Sequence, residues 1–301
     1  MQSTEARRSV FGNYQPVCEQ ASEESAACGT VAALPAITSP ESLQGSINTA
    51  LARSFIYRHL AKVFEFPAIT EWRLLGREDL RDAFRTAVRA LVVNGQAPLI
   101  QRADELASAL REEEFAAFES DYIAIFGHAA RGSCPLNEIE YGDLKADPLF
   151  QPHRLADLAA FYAAFGLEMV EDGGERQDHI CVELELMSVL TAKEADALEH
   201  QLDDGELAVC REAQRMFLRE HLGRWTPAFT RRLSQTAGVG ALGSLARFTR
   251  EFIEADCRRA GVSPGSEDLL LRPADEAGES LCTSCGIRSL PPGALATPAQ
   301  D

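Results

Sequence analysis

Positive charge is scarce in this chain. Over 301 residues, 29 Lys+Arg stand against 46 Asp+Glu, a formal net charge of −17 at pH 7, and no run of Lys or Arg exceeds a pair. Such a surface repels phosphate, which argues against nucleic acid as a partner; it favours solubility or a basic partner instead. Long apolar runs are also missing. No stretch approaches the roughly 20 apolar residues that span a bilayer, so membrane insertion is not expected. Eight cysteines are too few for a secreted disulfide scaffold, and a reducing cytoplasm would keep most of them as thiols. Among catalytic signatures, GxxxxGK[ST], HExxH and GxSxG are all absent, and nothing clusters an acid, a base and a nucleophile. The expectation is a non-enzymatic protein with no resident cofactor. At 46% hydrophobic residues, the chain has ample material for a core.

Arg7-Arg8-Ser9-Val10-Phe11 looks like a twin-arginine export signal, but Gly12, Asn13, Gln15, Glu19, Gln20, Glu23 and Glu24 follow where an apolar segment is required. The chain is therefore expected to remain cytoplasmic. Residues 1–44 carry no sustained periodicity and read as a mobile or loosely packed arm. Residues 45–260 read as one all-helical bundle of eight to ten helices, and 261–301 as a Pro/Gly/Ser-rich extended tail.

Helical stripes run through the middle region. They include Ile56, Leu60, Val63 and Phe64; Leu80, Phe84, Val88 and Leu91; and Leu99, Ala103, Leu106 and Leu110. Phe115, Phe118, Tyr122, Ile125 and Phe126 form another, followed by Leu155, Leu158, Tyr162 and Phe165, with Gly166 placed to end that helix. Leu207, Cys210, Gln214, Phe217 and His221 mark a later helix. Trp225, Phe229 and Leu233, then Leu242, Leu245, Phe248 and Phe252, close the series. Residues 180–190 are apolar on nearly every face, so they are predicted to form the central, surrounded helix.

Two weak motifs read as structure. Gly238-Val239-Gly240-Ala241-Leu242-Gly243 matches GxGxxG, but a dinucleotide loop needs a preceding strand and Phe229–Thr236 reads as helix, so a helix-to-helix turn is expected. Cys282-Thr283-Ser284-Cys285 supplies two thiolates where a closed zinc site needs four ligands. Cys18, Cys28, Cys134 and Cys257, read as lying outside the core, are distant and form no second CxxC. Tail thiols are thus the first reading, with zinc on Cys282 and Cys285 as the alternative. Cys181 and Cys210 sit on apolar stripes and read as core.

Two segments place polar and turn-forming residues inside the apolar helical chain. One runs from Asp121-Tyr122 through Phe126-Gly127-His128 and Arg131-Gly132-Ser133-Cys134-Pro135 to Glu138-Ile139-Glu140-Tyr141-Gly142. The other is Glu175-Arg176-Gln177-Asp178-His179, where Asp178 is placed to cap the central helix and His179 to present a titratable ring at its mouth. On the residues alone, loop solvation and helix capping are the first reading of both.

Together these segments resemble the TorD/DmsD/NarJ family, all-helical chaperones that mature molybdenum-containing oxidoreductases. Tyr122 to Phe126, with Cys134-Pro135 and Glu138, resembles the family's Tyr-x-x-Leu-Phe helix end and Gly-rich loop. Glu175 to His179 resembles its Glu-Pro-x-Asp-His motif, with Arg176 where the family has proline. Glu183, Glu185, Met187, Phe165 to Leu167, and His221 with Trp225 also look like family positions, so the resemblance spans about residues 47–255. The loop is similar to that of the branch serving type II enzymes of the dimethyl sulfoxide reductase superfamily.

The resemblance implies a TorD-like bundle that binds an apo catalytic subunit and its twin-arginine signal peptide and assists molybdenum cofactor insertion, as a monomer or a domain-swapped dimer. Such a receptor needs carboxylates beside an apolar groove. Glu138, Glu140 and Asp178 are the candidates for charge, Tyr122, Phe126 and Tyr141 for the groove, and His179 for a hydrogen bond. The rival readings are a metal-binding redox or sensor protein using Cys282 and Cys285, and a retained structural subunit of an oxidoreductase.

Overall fold

The computed structural model describes residues 40–92, 97–127, 132–142, 150–169, 175–202 and 204–272. The CxxC at Cys282 and Cys285, Arg7-Arg8, Cys18, Cys28, His128 and Arg131 lie outside the described residues. Among the described residues, ten α-helices follow in order: α1 Pro40–Phe64, α2 Ile69–Leu75, α3 Glu78–Leu91, α4 Ala97–Ala109, α5 Phe115–Phe126, α6 Phe150–Ala164, α7 Ile180–Glu199, α8 Asp204–Glu220, α9 Leu222–Ala237 and α10 Ala241–Arg259. Among the described residues, extended pairing is limited to two isolated antiparallel bridges, Asn137 with His179 and Tyr141 with Leu271. The architecture is an all-α bundle.

The stripes read from the sequence become the buried faces. Phe84, Val88 and Leu91 of α3, Leu99, Ala103 and Leu106 of α4, and Leu242, Leu245, Phe248 and Phe252 of α10 are all buried. α7 is central: Ile180 through Ser188 are buried without interruption, because α1 lies along it and α8 and α9 close its other sides. α10 packs on α9 and α4, and α3 bridges α1 to α4. Gly166 ends α6 at φ +70° as expected, and Gly238, at φ +63°, makes the GxGxxG stretch the turn between α9 and α10.

Three features differ from the sequence reading. α1 starts at Pro40, inside the segment read as an arm, since proline is well tolerated in a first helical turn where its missing N–H has no intrahelical partner. α2 has no stripe long enough to detect, because only Trp72 and Leu75 of its seven residues are buried. Cys134 and Cys257, read as outside the core, are fully buried within it. Each sits next to a segment that local periodicity treats as a terminus or loop but that tertiary packing covers.

A buried polar tie joins α1, α7, α8 and α10. Arg53 donates from Nε and Nη2 to Asp256 at 2.7 and 2.8 Å and from Nη1 to Glu194 at 3.0 Å. Tyr57 donates to Asp256 at 2.6 Å, while Arg211 and Gln214 of α8 hold Glu194 at 2.8 and 3.0 Å.

Candidate functional site

The two motif segments meet, although about 40 residues separate them. Asn137 is extended, a 3-10 turn follows at Glu138–Glu140, and these residues lie against those that open α7. Glu138 N donates to Asp178 O at 2.9 Å and Ile180 N to Leu136 O at 2.9 Å, flanking the Asn137–His179 bridge. Asp178 then fills its acceptor capacity. It accepts from Arg176 Nε at 2.9 Å and Nη2 at 2.7 Å, Asn137 Nδ2 at 3.2 Å and Ile139 N at 3.3 Å. Asp178 therefore does not cap α7. His179 does, its Nδ1 accepting from Cys181 N at 3.3 Å, because the Asp178 side chain is turned toward the 137–139 loop.

Arg176 replaces the proline of the motif with a different restraint: a bidentate grip that neutralises Asp178, while half of its own side chain stays exposed (50%). Burial lowers the His179 pKa, opposed by Glu175, whose Oε2 lies 3.5 Å from His179 Nε2. A neutral ring also suits the acceptor role of Nδ1 in the cap.

Glu138 is fully buried and surrounded by donors. Arg224 Nη2 at 3.1 Å and Arg154 Nη2 at 3.3 Å approach Oε1, and His221 Nδ1 lies 3.0 Å from Oε2. Burial works to raise its pKa, but His221 and the two guanidiniums outweigh this and hold it below the usual carboxylate range. Its neighbour Glu183 behaves oppositely. Burial, reinforced by the Glu138 charge, pushes Glu183 well above the usual range despite a 3.0 Å hydrogen bond from Trp225 Nε1. Glu183 Oε1 is buried without a hydrogen-bond partner, and the two neighbours shift in opposite directions, Glu138 toward its ionised form and Glu183 toward its neutral one.

All seven residues singled out from the sequence are buried: Tyr122, Phe126, Glu138, Glu140, Tyr141, Asp178 and His179. They fall into two groups. Glu138, Asp178 and His179 share the motif junction, with Glu140 and Tyr141 on the same segment; Tyr141 donates to Pro135 O at 2.8 Å and its ring centroid lies 5.1 Å from that of Trp225. Tyr122 and Phe126 belong to an aromatic cluster on α5. Tyr122 donates to Phe64 O at 2.9 Å and contacts Phe126, Phe118 and the exposed Phe66. Phe64 and Phe229 link the two groups.

Sequence reasoning missed Arg154 and Arg224 as the counter-charges. A signal existed for the second, since His221, Arg224 and Trp225 stand at i, i+3 and i+4, one face at the start of α9, and all three address the buried acids. Chemically the site is quiet. Burial pushes the Cys134 thiol up to about 12, far from a reactive thiolate, and Glu138 and Asp178 are held in ion pairs. Among the described residues no group of three His, Cys, Asp or Glu side chains is placed to hold a metal, and no helix is long and apolar enough to cross a membrane.

Comparison with known proteins gives the context for this geometry. The nitrate reductase delta subunit family matches residues 94–231, from just before α4 into α9. The perchlorate reductase assembly chaperone of Dechloromonas aromatica is 27% identical over 216 residues, 71% of this chain and 92% of that protein. The selenate reductase assembly chaperone of Thauera selenatis is 33% identical over 143 residues, 48% of this chain and 70% of that protein. Chaperone protein TorD of Vibrio cholerae is 27% identical over 138 residues, 46% of this chain and 59% of that protein. No solved structure matches the chain significantly. The match spans both motif segments and the α9 residues that neutralise them, and its bearers are named assembly chaperones rather than enzymes: the chain belongs to the TorD/DmsD/NarJ family of reductase assembly chaperones.

Proposed function

We propose that this chain is a client-specific cytoplasmic chaperone that binds the apo catalytic subunit of a molybdenum-containing oxidoreductase together with its twin-arginine signal peptide, and keeps the subunit open for cofactor insertion before export. The observation that carries the reading is the similarity over nearly the whole length of a perchlorate reductase assembly chaperone. The metal-sensor and structural-subunit readings have no comparable support.

In this proposal the client engages the surface above the motif junction, and Tyr122, Phe126, Glu138, Glu140, Tyr141, Asp178 and His179 set its shape and charge. Because these side chains are buried, a guest guanidinium would reach Asp178 by exchanging with the half-exposed Arg176, which already occupies the bidentate position a signal-peptide arginine needs. Glu138 is less accessible, being held by Arg154 of α6, His221 just before α9 and Arg224 of α9.

The test begins with the catalytic subunit that co-purifies from the native host, whose signal peptide is then titrated onto the purified chain and onto Asp178→Asn, which preserves shape while removing charge. Tight binding by the native chain and binding about ten-fold or more weaker by the variant, with circular dichroism unchanged, is the expected result. Equal affinity of the two proteins would remove Asp178 from the site. Recovery of general chaperones alone would overturn the reading.

A further inference from the structure

Beyond α10 the chain turns at Gly261, buries Val262 and runs extended across the start of α9. The crossing has a sequence cause. Pro227 lies inside α9 and has no N–H, so the carbonyl of Gly223, four residues earlier, lacks its helical donor. Gly265 N supplies one at 2.9 Å. The approach is so close that a Cβ on Gly265 would fall 1.9 Å from Arg224 O, so only glycine fits. Glu267 then pairs with Arg250 and Asp268 with Arg231, while Leu269 O accepts from Arg232 Nη2 at 3.5 Å. Leu269 and Leu271 pack against the core, leaving Leu270 53% exposed. Finally Gly142 N donates to Leu270 O at 3.2 Å and Arg272 N to Glu140 O at 3.0 Å, around the Tyr141–Leu271 bridge. The segment thus adds an extended strand to the edge of the motif whose other end is joined to His179.

We propose that the strip formed by α9, α10 and Glu140–Gly142 is a docking surface for an extended, acidic, leucine-rich segment of the client's catalytic subunit, and that residues 265–272 occupy it as an internal stand-in which the client displaces. Backbone pairing at a free edge with alternate side chains in flanking sites is how extended peptides are commonly held. The strip presents Arg231, Arg232 and Arg250, so a twin-arginine peptide is repelled from it and this surface takes a different part of the client. The grip consists of a few backbone hydrogen bonds, ion pairs at partly exposed positions worth at most about 1 kcal/mol each, and the packing of Leu269 and Leu271, all of which an incoming segment of the same chemistry can replace in exchange. That the client is a reductase subunit rests on the function proposed above; the surface and its stand-in do not.

The probe is a labelled peptide of the segment's own sequence, Ser-Glu-Asp-Leu-Leu-Leu-Arg, titrated onto the full chain and two full-length variants. Gly265→Val lifts the strap by steric clash, and Glu267→Lys with Asp268→Lys lifts it by charge at one half-buried and one exposed position, so a folding defect in the first leaves the second. Both variants should bind the peptide at least about ten-fold more tightly than the native chain, in which the site is already filled. The same peptide with both acids changed to lysine should bind none of them. Equal binding by all three proteins, or binding by neither variant, overturns the surface. The co-purifying catalytic subunit, titrated in parallel, should bind the lifted variants more tightly; unchanged affinity overturns its assignment as the occupant. If the functional reading itself is wrong, no reductase subunit binds native chain or variants, while the peptide result still stands.

Discussion

His59 shows how a single buried group couples the fold to pH. Its ring stacks on Phe84 at 4.5 Å with Nε2 unpartnered, and burial lowers its pKa from 6.5 to about 4. A depressed folded-state value means the contribution is present above the unfolded pKa and is lost as pH falls through the 6.5-to-4 window, at up to about 1.4 kcal/mol per pH unit. His59→Phe should therefore flatten the acid limb of a urea-measured stability profile, whatever its effect at neutral pH. An unchanged limb would mean that other groups dominate the window. Glu183 has the opposite sign. Its raised value means that stability is lost as pH climbs above the ordinary carboxylate range, about 4.3. Glu183→Gln keeps the acceptor for Trp225 without ionising and should gain on the native chain between about pH 5 and about pH 8, whereas Glu183→Ala opens a cavity and orphans the indole N–H at a cost of about 2–3 kcal/mol. Chemical denaturation of both variants at the two pH values separates these effects.

At the scale of elements, α7 is held by apolar packing along α1 and by one polar tie. Arg53→Met removes the guanidinium that Asp256 and Glu194 share and leaves both carboxylates buried, so it should lower stability by about 3–5 kcal/mol. Tyr57→Phe, which removes a single hydrogen bond to Asp256, should cost about 1.5–3 kcal/mol. The two losses should not add, since both act on one carboxylate, and a double-mutant cycle in urea reads the coupling directly. Helices were legible in the sequence wherever a stripe ran three turns or more, as with Phe84, Val88 and Leu91 in α3. α2 was not, because seven residues with two buried side chains give no period to detect. The central place of α7 was legible for the converse reason: a segment apolar all round needs neighbours all round. The cap was misread because Asp178 and His179 are adjacent and both accept hydrogen bonds; which one faces the helix depends on where residues 137–139 lie.

For the molecule as a whole, the net charge of −17 remains the dominant long-range term, but the structure changes where it sits. Glu138 and Asp178 do not contribute to an open acidic mouth, since Arg154, Arg224 and Arg176 neutralise them internally. The excess therefore lies on other, more exposed carboxylates, where like charges repel across the surface. Raising ionic strength from about 0.01 M to about 0.15 M shortens the Debye length from about 30 to about 8 Å, so the melting temperature should rise over that range. A fall would show that attractive surface pairs outweigh the repulsion.

The sequence by itself determined that this chain is helical, which residues face inward, where glycines break the helices, and which two segments depart from the pattern. Each of these is written in near-neighbour spacing, and near-neighbour spacing is what helical periodicity and turn chemistry encode. Only the tertiary structure decided that those segments form one buried junction and that its acids arrive already paired. It also decided that residues after α10 return to lie on the motif's edge. The contacts responsible join residues 39, 83 and 203 positions apart, as in Ile139 with Asp178, His221 with Glu138 and Arg53 with Asp256. No local pattern specifies such partners; they follow from how ten helices pack against one another.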